Sequence, residues 1–421
     1  MKWHSPASTA LAFVLLLAGG CKDKTSSPSG SGASGSAAPE PAPAASSLPA
    51  PVLLGNAERG KALLETYECN RCHQGTGLAA ADFHKDCYAC HRDIIDGKFK
   101  VKDLAKVERW KKNVVMVQHT PSLDQVGKRL KREWIAAFLQ QPKDLRPNLV
   151  PTMPPLRLTA QQAADIAAHL TKGSEAAADL ALGDAERGRQ LMAAKACGTC
   201  HVFSGADLPI KPVLAKGQSN PAIELAPDLR FARERVGPAA LVRWLREPEK
   251  VKPGTLMPNL GLSETEAKDI AAYVLQAQLG PQALPEKPKR LPKLERKVSF
   301  EEVQEKVLNR TCAHCHGNPD IARGDGGPGN TGGFGYKPRQ LDLSKYSGIA
   351  SGYVDDAGER HSVYSPMKDG TPRIVAALWA RHDEQRGSPN PELRGMPLGM
   401  PALPAEDIQV LESWIAQGRP R

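Results

Sequence analysis

Eight of the nine cysteines in this 421-residue chain stand in pairs of one spacing, and a histidine follows each pair at once. The pairs are Cys69 and Cys72 before His73, Cys87 and Cys90 before His91, Cys197 and Cys200 before His201, and Cys312 and Cys315 before His316. Two thiols at this separation can add across the two vinyl groups of a porphyrin, which leaves the adjacent imidazole under the iron. The pattern is that of covalent haem attachment, repeated four times, so four covalent haem c groups are expected. A zinc site has no need of a histidine after every second cysteine. No cysteine is left for a disulfide framework.

Elements that could position these groups repeat along the chain. Gly55-Asn56-Ala57-Glu58-Arg59-Gly60-Lys61 recurs as Gly183-Asp184-Ala185-Glu186-Arg187-Gly188-Arg189, and each copy opens a short helix that runs into an attachment pair. Phe138 to Pro142 corresponds to Trp244 to Pro248, and Met153-Pro154 to Met257-Pro258. Both copies close with a helix, Thr159 to Leu170 and Ser263 to Leu275, with Thr159 and Ser263 as N-caps. A third unit begins near Val298. Its Ser299–Asn309 helix ends at Cys312, a Gly-rich segment covers 317–370, and Met396-Pro397-Leu398-Gly399-Met400-Pro401 precedes a last helix with Trp414 and Ile415 on its apolar side. Aromatic residues make up only 5% of the chain, a thin supply that a flat apolar cofactor in each unit would supplement.

This order of elements resembles class I cytochromes c: an N-terminal helix, the attachment pair with its histidine, a proline loop, a helix, a Met-Pro loop and a C-terminal helix. The resemblance covers 55–173 and 183–280, and the segment 298–421 resembles the same fold with a longer middle loop. It implies a mostly α fold of three tandem cytochrome c-like domains, separated after residue 280 by a Pro- and Lys-rich linker, 281–297. It implies that the terminal helices cross at Gly60 and Gly188. It implies that Pro121 and Pro227 offer their carbonyls to the proximal histidines, His73 and His201. It also implies methionine as the sixth iron ligand: Met153 for the first site, Met257 for the third, and Met396, with Met400 as the alternative, for the fourth. Thioether ligation raises the reduction potential. In the first copy two extra residues lie between Pro147 and Met153, a departure from the family loop.

The second attachment pair lies in an insertion. His73 and Pro121 are 48 positions apart, against 26 for His201 and Pro227. No Met loop matches this haem, so His119 or His84 is expected as its sixth ligand, with bis-histidine ligation and a lower potential than its neighbours, the alternative being an open, five-coordinate iron. The short tether between the first two pairs should hold their porphyrins close. His314 lies between the cysteines of the fourth pair and cannot reach its own iron. His361, Met367 and His382 are expected in structural or solvated roles, and His169, which stands where the second copy has Tyr273, in packing.

Residues 1–20 read as a signal peptide, with Lys2 and an apolar stretch from Leu11 to Ala18. Leu17-Ala18-Gly19-Gly20-Cys21 resembles the lipobox of bacterial lipoproteins, and this implies a lipid on Cys21. Residues 21–54, rich in Ser, Gly, Ala and Pro, are expected to be a flexible tether. The formal charge of +10 favours an acidic redox partner or an anionic membrane, although cleavage at Cys21 and the propionates of four haems would offset most of it.

These readings describe an electron carrier in a bacterial cell envelope, facing the periplasm. Redox proteins and a membrane reached through the lipid are its expected partners. Lys22 after Cys21 favours the outer membrane. Neither nucleic acid nor a small-molecule substrate is expected. The alternatives are a peroxidase or small-molecule reductase acting at the second haem, or a subunit of a membrane oxidoreductase. Because haem would fill much of each core, the haem-free chain is expected to be largely unfolded. Thermal unfolding followed by circular dichroism tests this, and a cooperative transition in haem-free chain would contradict it.

Overall fold

An asparagine or aspartate N-cap, a glycine one turn on, and a run of small apolar residues in a partner helix are the ingredients of two closely matched helix pairs. The computed structural model describes residues 53–82, 85–100, 104–114, 119–143, 145–149, 153–174, 180–206, 208–215, 218–284, 286–318 and 339–421. In the first pair Asn56 caps the helix Ala57–Thr66, and Thr159 closes a capping box on the helix Ala160–Leu170. In the second, Asp184 caps Ala185–Ala194, and Ser263 closes a capping box on Glu264–Gln276. A β-carbon on Gly60 would overlap the Asp165 carbonyl, and one on Gly188 the Asp269 carbonyl. Glycine is what lets the backbones cross this closely.

One carboxylate ties each crossing. Asp165 accepts from the Asn56 amide at 2.7 Å, from Arg59 Nε at 2.7 Å and from Gln161 Nε2 at 2.9 Å. Asp269 accepts from the Asp184 amide at 2.7 Å and from Arg187 Nε at 2.9 Å. Both aspartate side chains are buried.

The chain is mostly helical, with a two-stranded hairpin of Tyr353–Val354 and Arg360–His361. Its described residues belong to a single compact unit, 51–421. Within it, buried apolar side chains gather in separate clusters. One is centred on Leu64 and Ile166, one on Met192, Leu241 and Ile270, and one on Val303, Ile408 and Trp414. A small one, of Ile94, Val107 and Val114, belongs to the insertion, where the helices Cys87–Ile95 and Leu104–Val114 pack together.

The sparse aromatics are concentrated in the last cluster. Trp414 is fully buried and its ring meets those of Phe300, Tyr346 and Tyr364 at 5.6, 6.1 and 6.2 Å between centroids. The segment expected as a linker, 281–297, is strapped along the last helix, Ala405–Ala416. Arg290 pairs with Glu412 at 2.6 Å, the Leu294 amide donates to Ser413 Oγ at 2.9 Å, and Gln409 Nε2 donates to the Pro292 carbonyl at 2.5 Å. An extended Pro-rich strand leaves its backbone groups free for such side chains. Among the described residues, no helix is long and apolar enough to cross a membrane.

Asp165→Ala should lower stability by about 2 kcal/mol, because it strands the Asn56 amide and the Arg59 guanidinium. The Arg59 hydrogen bond holds the Asp165 carboxyl below its ordinary range. Its contribution is therefore complete above the unfolded carboxylate value, about 3.9, and lost as pH falls through the lower folded value. Denaturant unfolding of both proteins from pH 7 down to pH 3 should show the gap closing at the acid end.

Candidate functional site

The four cysteine pairs fall into different local structures. In the first and third, a residue in the left-handed region, Glu68 (φ 49°) or Ala196 (φ 54°), turns the chain into a 3-10 turn, Cys69–Arg71 or Cys197–Thr199. The following cysteines have nearly the same backbone, with φ −115° at Cys72 and −116° at Cys200. The second pair forms the first turn of the helix Cys87–Ile95, which Asp86 caps by accepting from the Ala89 amide at 2.8 Å. The fourth lies at the end of a continuous helical run: α over Phe300–Val303, π over Gln304–Cys312 and α over Ala313–Cys315. The expected helix ending before Cys312 thus carries on through the pair. Wide π turns of this kind recur at functional sites.

Proline carbonyls meet the first and third histidines as expected. His73 Nδ1 lies 2.8 Å from the Pro121 carbonyl and His201 Nδ1 lies 2.9 Å from that of Pro227. With Nδ1–H donated to a carbonyl, Nε2 is left with its lone pair, the form that ligates a metal. Burial holds both imidazoles below their ordinary pKa, against the opposing pull of the carbonyls, so both are neutral.

A cavity of about 2090 Å³ joins these two sites; Cys69, Cys72, His73 and Met153 line it together with Cys197, Cys200, His201 and Met257. A pocket for a single drug-sized ligand reaches about 1,000 Å³, so this space suits two flat macrocycles. Met153 and Met257 thus share a cavity with the histidines to which the resemblance assigned them. Met396 packs against the apolar cluster around Trp414 and its amide donates to the Ala377 carbonyl at 2.8 Å. The Met400 carbonyl accepts from Arg381 Nε at 2.8 Å.

Among the cations that line the shared cavity are Arg129, Arg146, Arg235 and Lys252. Burial and repulsion from Arg146 and Arg129 push Arg235 down to about 10. Burial and repulsion from Arg129, Arg146 and Arg235 push Lys252 down to about 8. Arg235 Nε is buried with no hydrogen-bond partner among the described residues. Crowding like charges away from water is costly unless anions join them. A ligand bearing carboxylates meets that need, and haem carries a pair of propionates. Reading the motifs alone passed over these residues. The signal was in the repeat, because Arg129 and Arg235 stand at matching distances after Pro121 and Pro227, and Arg146 and Lys252 directly precede Pro147 and Pro253.

The second and fourth pairs meet each other and the first. Cys87 is close enough to Cys72 to raise the Cys72 thiol. Cys315 is close enough to Cys87 and Arg71 to feel their charge. Arg71 is buried there, donating to the Lys85 carbonyl at 2.9 Å and to Glu68 at 2.8 Å. The His91 and His314 ring centroids are 6.1 Å apart. Burial, then repulsion from His314, pushes His91 down to about 4.

His119 lies with Nε2 3.9 Å from Glu224, and burial lowers its pKa against the pull of that carboxylate. His84 and Cys21 lie outside the described residues. His361 bonds Asp355 at 2.8 Å, His382 Nε2 lies 2.9 Å from the Leu403 carbonyl, and the Met367 amide donates to the Thr371 carbonyl. The Tyr273 ring packs edge-on against Phe203, and the His169 β-carbon stands beside Gly60 at the helix crossing.

Residues 185–278 match the family model of cytochrome c. The match supports a c-type cytochrome. A cytochrome c domain implies covalent haem c and supports a haem-based role in electron transfer. The matched segment includes the helix Ala185–Ala194, Pro227 over His201 and Met257 on the cavity wall. The chain matches no curated protein and no solved structure.

Arg235→Gln should lower the potential of the haem at Cys197 and Cys200 by about 60 mV, a tenfold change for a one-electron couple, because a lost cation favours the ferric form. A spectroelectrochemical titration measures it. An unchanged set of potentials would mean that the cations do not face the cofactor.

Proposed function

We propose that this chain is a tetrahaem c-type cytochrome that passes electrons between redox partners in a bacterial cell envelope. One observation carries the reading: the four cysteine pairs lie near one another in series. The third and first line one cavity, Cys87 of the second is close enough to Cys72 of the first to raise its thiol, and the His91 ring beside the second lies 6.1 Å from that of His314 within the fourth. Electrons would then run three, one, two, four, an order different from that of the sequence. In this reading the eight paired cysteines hold the porphyrins and His73, His91, His201 and His316 are the proximal ligands. Met153, Met257 and Met396 are the sixth ligands of the first, third and fourth irons. Three cytochrome c-like units, 55–173, 183–280 and 298–421, carry the groups, with the second in the insertion of the first unit.

When bound, the haems supply one-electron chemistry. The Pro121 and Pro227 carbonyls would fix the tautomers of His73 and His201, and the cavity cations would offset propionate charge. These are the needs of a carrier with rigid, fully ligated irons. Export by the N-terminal signal and a lipid on Cys21 complete the proposal, and the resemblance of Leu17–Cys21 to a lipobox supports them. The outer membrane is the proposed location.

Intact mass of exported protein should equal the chain from Cys21 plus four porphyrins and a lipid, and Cys21→Ser should move the protein to the soluble fraction. A mass short by one porphyrin removes the corresponding site from the proposal. A high-spin iron that binds cyanide in the resting protein would favour an enzyme at the second haem instead.

A further inference from the structure

We propose that His314 is the sixth ligand of the second haem, so that a side chain within the fourth attachment pair completes the coordination of a haem bound to the first unit. This rests on the tetrahaem reading above. Two imidazoles on opposite faces of one metal hold their ring centres about 6 Å apart, since each metal–nitrogen bond is about 2 Å and each nitrogen lies about 1 Å from its ring centre. The His91 and His314 centroids are 6.1 Å apart and their planes are inclined at 41°.

Local structure explains the direction. Ala313–Cys315 is helical. Positions two apart on a helix do not share a face, so His314 is turned from the face of Cys312 and His316. The face it occupies adjoins the second pair, and the neighbouring Cys315 is also close enough to Cys87 to feel its charge. His314 and Cys315 are neighbours in sequence, so the second iron and the fourth porphyrin would be joined by a short covalent path. His119, the other described histidine considered for this role, has its Nε2 3.9 Å from the Glu224 carboxylate.

The test is near-infrared magnetic circular dichroism and electron paramagnetic resonance of the oxidised full-length holoprotein, its His314→Ala, His314→Met and His119→Ala variants, with intact mass read first. Four porphyrins in the wild type uphold the underlying reading, and fewer would end that reading whatever the ligation. Given four, the wild type should show one bis-histidine iron. His314→Ala should convert that iron to high spin and leave the three His/Met irons unchanged. His314→Met should keep it low-spin while raising the lowest of the four potentials by at least a factor of ten in the redox equilibrium, about 59 mV for one electron. The Met variant, which retains a ligating side chain, decides the matter if the Ala variant loses a porphyrin. The proposal is overturned if the lowest potential does not move in His314→Met, or if His119→Ala produces the high-spin iron and His314→Ala does not.

Discussion

An imidazole that gives its Nδ1 proton to a carbonyl has one nitrogen left to offer, and the arrangement of the first two repeated units follows from that constraint. His73 and His201 are held this way by Pro121 and Pro227. The proline loop must therefore sit at a fixed height over the attachment turn, and the turn must present the histidine to it. A left-handed residue before each 3-10 turn does this. The terminal helices must also close behind the turn, which requires glycine at the crossing and a buried aspartate to satisfy the backbone that the crossing exposes. The same residue types recur in both copies because the same geometric problem is solved twice.

The second and fourth pairs solve a different problem. Neither lies on a 3-10 turn. One opens a helix and the other ends one, so both project from helices toward a common region around Arg71 and Cys87. A helix presents i, i+3 and i+4 on one face, which accommodates two cysteines and a histidine and leaves the intervening positions pointing elsewhere. That freedom makes the residues between the cysteines available to a neighbouring group, whereas in a tight 3-10 turn they are taken up by the turn itself.

Charge shapes the space between the repeats. A cavity lined by two histidines and four thiols would be an apolar slot, yet it also gathers Arg129, Arg146, Arg235 and Lys252. Burial, and then their mutual repulsion, lowers Arg235 and Lys252, a cost that an anionic cofactor would offset. The two copies of the repeat supply matching pairs of cations to this one cavity. Backbone bonds across the junction, from the Lys131 amide to the Arg235 carbonyl and from the Asp228 amide to the Leu145 carbonyl, both at 2.8 Å, hold it together.

Residue type and spacing alone pointed to covalent haem attachment and to the helix caps, while the crossing glycines and the carbonyls over His73 and His201 followed from the resemblance to class I cytochromes c. All of these are local patterns, or patterns repeated at matching intervals, and local stereochemistry dictates them wherever the chain folds. Only the tertiary structure decided which sites are neighbours, that cations from distant loops face one cavity, that the Pro-rich segment after residue 280 is bound to the last helix, and that His314 stands opposite His91. These depend on how separately folded helices dock. Docking is governed by surfaces assembled from residues far apart in sequence, and spacing along the chain records it only where the copies repeat, as at Arg129 and Arg235.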